Sequence, residues 1–185
     1  MNGIYPKYYI RNGVAKAANY TNIIFENLSQ VSEYMLYGYY EFSSISGNIT
    51  FPVLTAINDY GLYNAFSRCS GITSVSFPEL MSIGERGLYQ AFNYCTGITS
   101  VSFPKLTSID DDGLYYAFSG CTGLSGSISF PSLTSVNNYG LTRIFNGCTG
   151  ISELHFRADV QSTIESQYTY DVNFGASNAT IYFDL

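Results

Sequence analysis

The sequence predicts an α/β repeat solenoid, with seven parallel strands in one ladder and short helices or turns on the other side. The first indication is a Phe-Pro motif that recurs along the chain at intervals of 26, 26 and 27: Phe51, Phe77, Phe103 and Phe130. The second is that the four cysteines follow the same intervals: Cys69, Cys95, Cys121 and Cys148. A repeat period of roughly 20–29 residues is typical of stacked solenoids.

The strands are predicted from short segments that end in phenylalanine. The same spacing extends backwards to Phe25 and forwards to Phe156 and Phe183. It gives seven strand-like segments: NIIF, NITF, SVSF, SVSF, SISF, ELHF and TIYF. In the first SVSF segment, Val75 and Phe77 alternate with serines, which is the pattern of a half-buried strand. Pro78 follows at once and can end that strand.

The segment after each strand contains a second group of apolar residues, in the motif GLYQAFNYC. Leu88, Ala91 and Phe92 share one face at helical spacing, so this motif predicts a short helix or a single helical turn. Gly97 then turns the chain back toward the next strand. One such coil has too few large apolar side chains to offset the entropy of ordering it. Each coil therefore needs the core of its neighbours.

The run Ile72-x2-Val75-x-Phe77-x2-Leu80-x2-Ile83 resembles the leucine-rich-repeat pattern. The block AF-s-x-C-t-G-I-t-S-v-s-F-P-x-L-t-S-I is similar to the BspA-like (Treponema-type) leucine-rich repeats of bacterial surface antigens, from Phe25 to about Phe156. The long units and the GLY before AF depart from that pattern. The resemblance implies a solenoid of the leucine-rich-repeat type and a role in attachment to host proteins and cells. The repeats also resemble those of phage proteins, and no binding residues carry over.

We expect one domain over residues 1–185. Residues 1–22 are predicted to form an N-terminal cap, residues 23–156 the repeats, and residues 157–185 a C-terminal cap with the last strand. That strand would have an open edge. We expect another copy of the chain, another protein or the cap itself to cover it.

Charge and hydropathy exclude two classes of partner. Eight Lys and Arg against fourteen Asp and Glu give a net charge of -6, which argues against binding to nucleic acid. No apolar run is long enough to span a bilayer, so insertion into a membrane is not expected. The N-terminal segment lacks the apolar stretch of a secretion signal, and the sequence leaves open whether an export signal has been removed.

Neither a cofactor nor a metal ion is expected. An even number of cysteines is compatible with disulfides between neighbouring coils. Their single position per coil, beside a core phenylalanine, favours a column of buried thiols. The acidic run Asp110 to Asp112 aligns with positions that include Arg86, so it indicates a turn and not a calcium site.

Two surfaces are candidate partner-binding sites. One is a tyrosine stripe on the helix or turn side, interrupted at Thr142: Tyr37, Tyr63, Tyr89 and Tyr115, with Tyr116 beside it. Tyr60, Tyr94 and Tyr139 extend the same side. Aromatic side chains in register stack along a solenoid, and their hydroxyl edges can enter an interface. The second surface lies on the outward face of the sixth strand, where Glu153 and His155 meet Tyr182 of the next strand.

The outward strand positions carry mostly hydroxyl groups, which suit a crowded sheet face and could also meet a glycan or a protein. Ser129, His155 and Glu153 resemble a hydrolytic set, but a flat strand face supplies no oxyanion site, so an enzyme is not expected. The sequence favours a non-enzymatic protein-binding or adhesion module of a cell-surface protein, with a protein or glycan partner outside the cell. The alternative is a structural or receptor-contacting component of a phage virion or another assembly.

Overall fold

The computed structural model describes residues 21–38, 44–168 and 174–184. The strands alternate between long and two-residue elements: β1 (Thr21–Ile24), β2 (Gln30–Val31), β3 (Ser46–Thr50), β4 (Ala56–Ile57), β5 (Gly71–Ser76), β6 (Ser82–Ile83), β7 (Ser100–Ser102), β8 (Ser108–Ile109), β9 (Ser125–Phe130), β10 (Ser135–Val136), β11 (Gly150–Phe156) and β12 (Thr180–Phe183). A 3-10 turn (Ala158–Val160) and one α-helix, α1 (Gln161–Gln167), lie between β11 and β12. Each coil of the solenoid thus has three sides.

The seven predicted strands are all present and parallel. They form a four-stranded sheet, β1-β3-β5-β7, and a three-stranded sheet, β9-β11-β12, so the predicted single ladder is divided in two. The division follows the longer unit, in which the segment leading into β9 holds one residue more than its counterpart in β7. Gly126, with φ +77°, lies at this insertion. The solenoid nevertheless continues across it, because Phe103 and Phe130 stack at 5.6 Å.

A second parallel sheet of five two-residue strands, in the order β10-β8-β6-β4-β2, forms the next side of the coil. It was not predicted from the sequence. Ser82 pairs with Ser108 and Ile83 with Ile109, so the serines line up outward and the isoleucines inward.

The third side consists of turns, and the described residues contain no helix there. Of the two sequence predictions for GLYQAFNYC, the turn is therefore correct and the helix is wrong. Within residues 86–95, successive amides alternate between a bond inside the coil, as Tyr89 N to Arg86 O (3.2 Å), and a bond to the next coil, as Gln90 N to Tyr115 O (2.9 Å). We call this third side the turn ribbon. It requires a left-handed conformation at every fourth residue, which ends any α-helix, as at Arg86, Gln90 and Tyr94.

The core lies between the three sides and consists of residue columns that run along the solenoid. Phe51, Phe77, Phe103, Phe130 and Phe156 have no more than 1% exposed surface, and successive rings stack with centroids 5.0 to 5.6 Å apart. A second column, Phe66, Phe92 and Phe118, is equally regular at 5.2 and 5.3 Å. Residues one repeat apart in the chain are therefore spatial neighbours, as the sequence predicts.

The C-terminal segment packs against the last full coil and accepts hydrogen bonds from it. The buried Tyr168 hydroxyl accepts the Leu141 amide at 2.8 Å, and the Phe174 carbonyl accepts the Phe145 amide at 3.1 Å. β12 pairs with β11 on one side, and no strand of the described chain pairs with its other edge. The predicted N-terminal cap, residues 1–22, lies almost wholly outside the described residues.

Candidate functional site

The tyrosine stripe forms a stacked column on the turn ribbon, which we call the tyrosine column: Tyr37, Tyr63, Tyr89 and Tyr115. Successive ring centroids are 4.7, 4.6 and 4.8 Å apart, and the rings lie within 10° of parallel. Each inner ring has its two faces against its neighbours. The column therefore presents ring edges and hydroxyl groups to the surface.

One side of the tyrosine column is lined by the left-handed positions of successive coils. Arg86 bridges three coils here: its Nη1 donates to the Tyr60 hydroxyl at 2.7 Å, and its Nε donates to Asp112 Oδ2 at 3.1 Å. The guanidinium also lies 5.6 Å from the centroid of the Tyr60 ring, a cation–π distance. The Tyr60 hydroxyl donates in turn to Glu85 at 3.0 Å, and this bond is the main reason that the pKa of Tyr60 is raised.

The other side of the column carries a second arginine–tyrosine pair. Arg143 Nη1 donates to the Tyr116 hydroxyl at 2.6 Å, and its guanidinium lies 5.8 Å from the Tyr116 ring centroid. The Tyr116 ring is tilted by 52° against Tyr115, at 4.7 Å between centroids. These contacts fix Tyr116 beside the column, as the sequence predicts.

Together these side chains line an open groove of about 680 Å³, which we call the tyrosine groove. Its lining consists of seven tyrosines, two arginines, one aspartate and one threonine: Tyr37, Tyr60, Tyr63, Tyr89, Tyr115, Tyr116, Tyr139, Arg86, Arg143, Asp112 and Thr142. Tyr94, which the sequence assigns to the same side, does not line the groove. Its ring covers Gly120 of the next coil, where a Cβ would lie 2.6 Å from the ring.

Three hydroxyl groups of the tyrosine column are neutral at physiological pH. Burial is the first cause that raises the pKa of Tyr63, Tyr89 and Tyr115 above its ordinary value, and neighbouring phenols add to it. A neutral phenol both donates and accepts a hydrogen bond. The groove thus offers a row of hydroxyl donors one coil apart.

The second predicted surface also comes together, but on the sheet side of the coil. His155 pairs in register with Ser129 and with Tyr182, and its ring stacks on Tyr182 at 4.8 Å. Its Nε2 lies 3.3 Å from Glu153 Oε2 and its Nδ1 lies 3.0 Å from Asp184 Oδ1. The hydrogen bond with Asp184 is the main cause of a raised His155 pKa.

Sequence reasoning missed Arg86 and Arg143 on the first surface and Asp184 on the second. Arg86 aligns with Tyr60 and Arg143 aligns with Tyr116, each one repeat further along the chain, so the repeat placed each pair in adjacent coils. This alignment of arginine with tyrosine one repeat earlier could have revealed both pairs from the sequence. Asp184 follows the last strand and pairs with His155 only because β12 adds in register to β11.

The outward strand face is the uncharged hydroxyl ladder that the sequence predicts. Asn48 aligns with Ser74 and Ser100, and Thr50 aligns with Ser76 and Ser102. The Ser74 hydroxyl donates to Asn48 Oδ1 at 2.8 Å. Ser74 is thus linked to Asn48 of the preceding coil.

The cysteine column consists of free, fully buried thiols, as the sequence favours over disulfides. Each of the last three thiols donates to a main-chain carbonyl of the preceding coil, at 3.0 to 3.1 Å: Cys95 to Phe66, Cys121 to Phe92 and Cys148 to Phe118. Burial raises the pKa of all three, that of Cys148 to about 12. The column is part of the core.

The described residues contain no group of three or more His, Cys, Asp or Glu side chains arranged to hold a metal ion. In the acidic run, Asp112 binds Arg86, and Asp110 Oδ1 accepts the Asn137 side-chain amide at 2.5 Å. Among the residues with described structure, no helix has the length and apolar character needed to cross a bilayer.

Comparison with known proteins gives one family and one structure. A sequence model of the BspA type leucine rich repeat region matches in six copies, over residues 9–123 and 88–180. A crystal structure of a leucine rich repeat protein from T. pallidum is similar at 15% identity, with a TM-score of 0.40, over 75% of this chain and 69% of the other. No curated protein matches the sequence.

Proposed function

This chain belongs to the BspA-type leucine-rich repeat family, and we propose that it is a non-enzymatic protein-binding and adhesion module that works at a cell surface. Its repeats form a protein-interaction scaffold, as those of the family do. The tyrosine groove is the proposed binding surface. Glu153, His155 and Tyr182 are a smaller, second contact.

The composition of the tyrosine groove carries this proposal. Tyrosine and arginine are the residues most enriched where protein interfaces derive their binding energy, whereas lysine and glutamate are depleted there. The groove lining has seven tyrosines and two arginines, and neither lysine nor glutamate. On the strand-bearing side the side chains are small, and the hydroxyls of Thr73 and Ser74 already donate to Asn48 Oδ1, which makes this side a weaker candidate.

The stacking of the tyrosine column favours a protein partner over a glycan. Sugars pack their C–H groups on the electron-rich faces of aromatic rings. In the column those faces lie 4.6 to 4.8 Å from the next ring and are covered. Ring edges and hydroxyl groups suit the backbone carbonyls of a polypeptide better.

A binding assay with two matched variants tests this function. The immobilised chain is incubated with surface-labelled proteins of candidate host cells, and the same is done with a Tyr63, Tyr89 and Tyr115 to Ser variant. The control replaces three hydroxyl residues on the strand face with Ala: Thr50, Ser76 and Ser102. We expect the tyrosine variant to lose the captured protein and the control to keep it.

A third variant, with Phe at the same three tyrosines, keeps the ring stack and removes only the hydroxyl groups. It separates loss of binding from loss of fold, and circular dichroism and urea midpoints check the fold of all variants. The opposite pattern, with capture lost in the strand-face control and kept in the tyrosine variant, would refute the groove as the binding surface.

The open edge of β12 is a proposed site of self-association, because a strand edge with free backbone groups pairs readily with another strand. Light scattering over a range of protein concentrations tests it, and a monomer at every concentration contradicts it. The virion alternative stays a prediction from the sequence, with no observation in its favour.

A further inference from the structure

The strand β12 packs more loosely on the core than β11, the strand with which it pairs. Its inward side chains, Ile181 and Phe183, are only partly buried. Their partners in register, Leu154 and Phe156, have no more than 1% exposed surface. The rings of Phe156 and Phe183 are 6.0 Å apart and tilted by 31°, whereas Phe130 and Phe156 stack at 5.2 Å and 1°. Contacts on the outward face therefore matter more for holding β12 than for holding β11.

His155 of β11 makes two such outward contacts with the C-terminal segment. Its ring stacks on Tyr182 of β12 at 4.8 Å, and its Nδ1 lies 3.0 Å from Oδ1 of Asp184, the residue directly after β12. On the other side of the ring, Nε2 lies 3.3 Å from Glu153 Oε2 of its own strand. Each ring nitrogen thus faces a carboxylate. Only the protonated ring can donate to both, because neutral imidazole has a single N–H.

Loss of this proton weakens the contact with β12 in either neutral tautomer. If Nε2 keeps the proton, the bare Nδ1 faces Asp184 and the hydrogen bond between them is lost. If Nδ1 keeps it, that bond persists without the attraction between imidazolium and carboxylate, and the bare Nε2 faces Glu153. In both cases the ring on Tyr182 loses its charge, which removes a cation–π attraction.

The other groups around His155 do not replace this charge. On β9, Ser129 pairs with it in register and is uncharged. Beyond β11, Arg157 is paired with Asp159 at 2.7 Å. The hydrogen bond with Asp184 is the main cause of the raised His155 pKa, so protonation favours the state in which β12 is in place. This contribution is complete below about pH 6.5 and is lost as pH rises through the folded pKa.

We propose that β12 is a pH-sensitive latch, which protonated His155 holds against β11 and which opens more often once that proton is lost. Opening uncovers the edge of β11, and an uncovered strand edge pairs readily with another strand. The latch therefore controls whether the last coil is closed or available to another chain. This inference goes beyond the proposed function and does not involve the tyrosine groove.

Amide hydrogen exchange of the full chain, from about pH 5.5 to about pH 8.5, tests the latch. The reporters are the amides of β12 and the Asp184 amide, which donates to the Phe156 carbonyl at 3.2 Å. Each rate is compared with that of the same amide in His155→Gln, where the intrinsic rate is the same and no ring titrates. The chain has a single histidine, so the comparison isolates this one group.

We expect protection of these amides, relative to His155→Gln, to fall by about two- to fivefold across the series, the range of an exposed ion pair. The amides of β5, which lies in the other long sheet, should show no such change. Asp184→Asn should reduce the pH dependence in β12, because the carboxylate that His155 contacts is lost. Arg157→Gln is the matched control, since Arg157 pairs with Asp159, and it should leave the pH dependence unchanged.

Two results would overturn the inference. A ratio that stays constant with pH would show that His155 does not hold β12. An equal loss of protection in β5 would show that the titration acts on the whole fold and not on the latch. Either result leaves the tyrosine groove as the proposed binding surface, because none of these measurements depends on it.

Discussion

The left-handed positions of the turn ribbon predict a substitution that stabilises the protein, Gln90→Gly. Gln90 has φ +50°, and its amide bonds to the Tyr115 carbonyl of the next coil. The backbone therefore holds an L-residue in a conformation that costs it roughly 1–2 kcal/mol. Glycine adopts this conformation without strain. The next left-handed column of the ribbon already contains two glycines, Gly120 and Gly147, with φ +73° and +78°.

The expected gain follows from two opposing effects. Removing the strain contributes roughly 1–2 kcal/mol, while the added freedom of glycine in the unfolded chain costs about 0.4–1 kcal/mol. The net stabilisation is on the order of 0.5–1 kcal/mol. For a protein of this size, each kcal/mol raises Tm by about 2–4 °C, so we expect a rise of about 1–4 °C.

Urea unfolding and calorimetry of two glycine variants measure this difference. The control is Met81→Gly, at a surface residue with 47% exposure that is not among the residues with positive φ. There glycine should destabilise by roughly 0.5–1 kcal/mol, because it gains only unfolded-state entropy. If Gln90→Gly lowers Tm as Met81→Gly does, strain at the left-handed positions is not a property of this fold.

Three further predictions concern the buried polar groups and the single histidine. Tyr168→Phe removes the acceptor of the buried Leu141 amide, which should cost about 1–3 kcal/mol in urea unfolding; a cost near zero would contradict this bond. The four thiols should not react with a disulfide reagent in the folded chain and should all react in denaturant, because all four are buried and burial also raises the pKa of Cys95, Cys121 and Cys148. The raised pKa of His155 stabilises the fold fully below about pH 6.5, and this stabilisation is lost as pH rises through the folded pKa. In an NMR titration, Asp184→Asn should lower the His155 midpoint, and an unchanged midpoint would remove Asp184 as its cause.

The repeat made the register of the chain predictable, and with it the columns of the core and the tyrosine column. Phe77 and Phe103 stack because the chain repeats between them, and no other information was needed. The second sheet was missed because each coil contributes only two residues to it, such as Ser82–Ile83, too few for any periodicity. The strands of this sheet are held by pairing between coils, which the sequence of a single coil does not reveal.

The helix alternative for the turn ribbon was wrong for a related reason. Leu88 and Phe92 are both buried four residues apart, as they would be on one face of a helix, so apolar spacing cannot distinguish the two structures. The difference lies in the backbone: Gln90, between them, is left-handed and donates to the next coil. The charged contacts of the groove, such as Arg86 with Tyr60, depend on long side chains that cross coils, and a scan of single segments did not reveal them.

The alternating hydrogen bonds of the turn ribbon have a consequence for how this protein can change over time. Every internal coil offers its successor the same set of donors and receives the same set from its predecessor, so gain or loss of a whole unit leaves none of them unmatched. Recombination between near-identical repeats would then produce longer or shorter versions that fold without further mutation. The length of the solenoid, and with it the length of the surface that it offers to a ligand, would then vary with the number of repeats, one coil at a time.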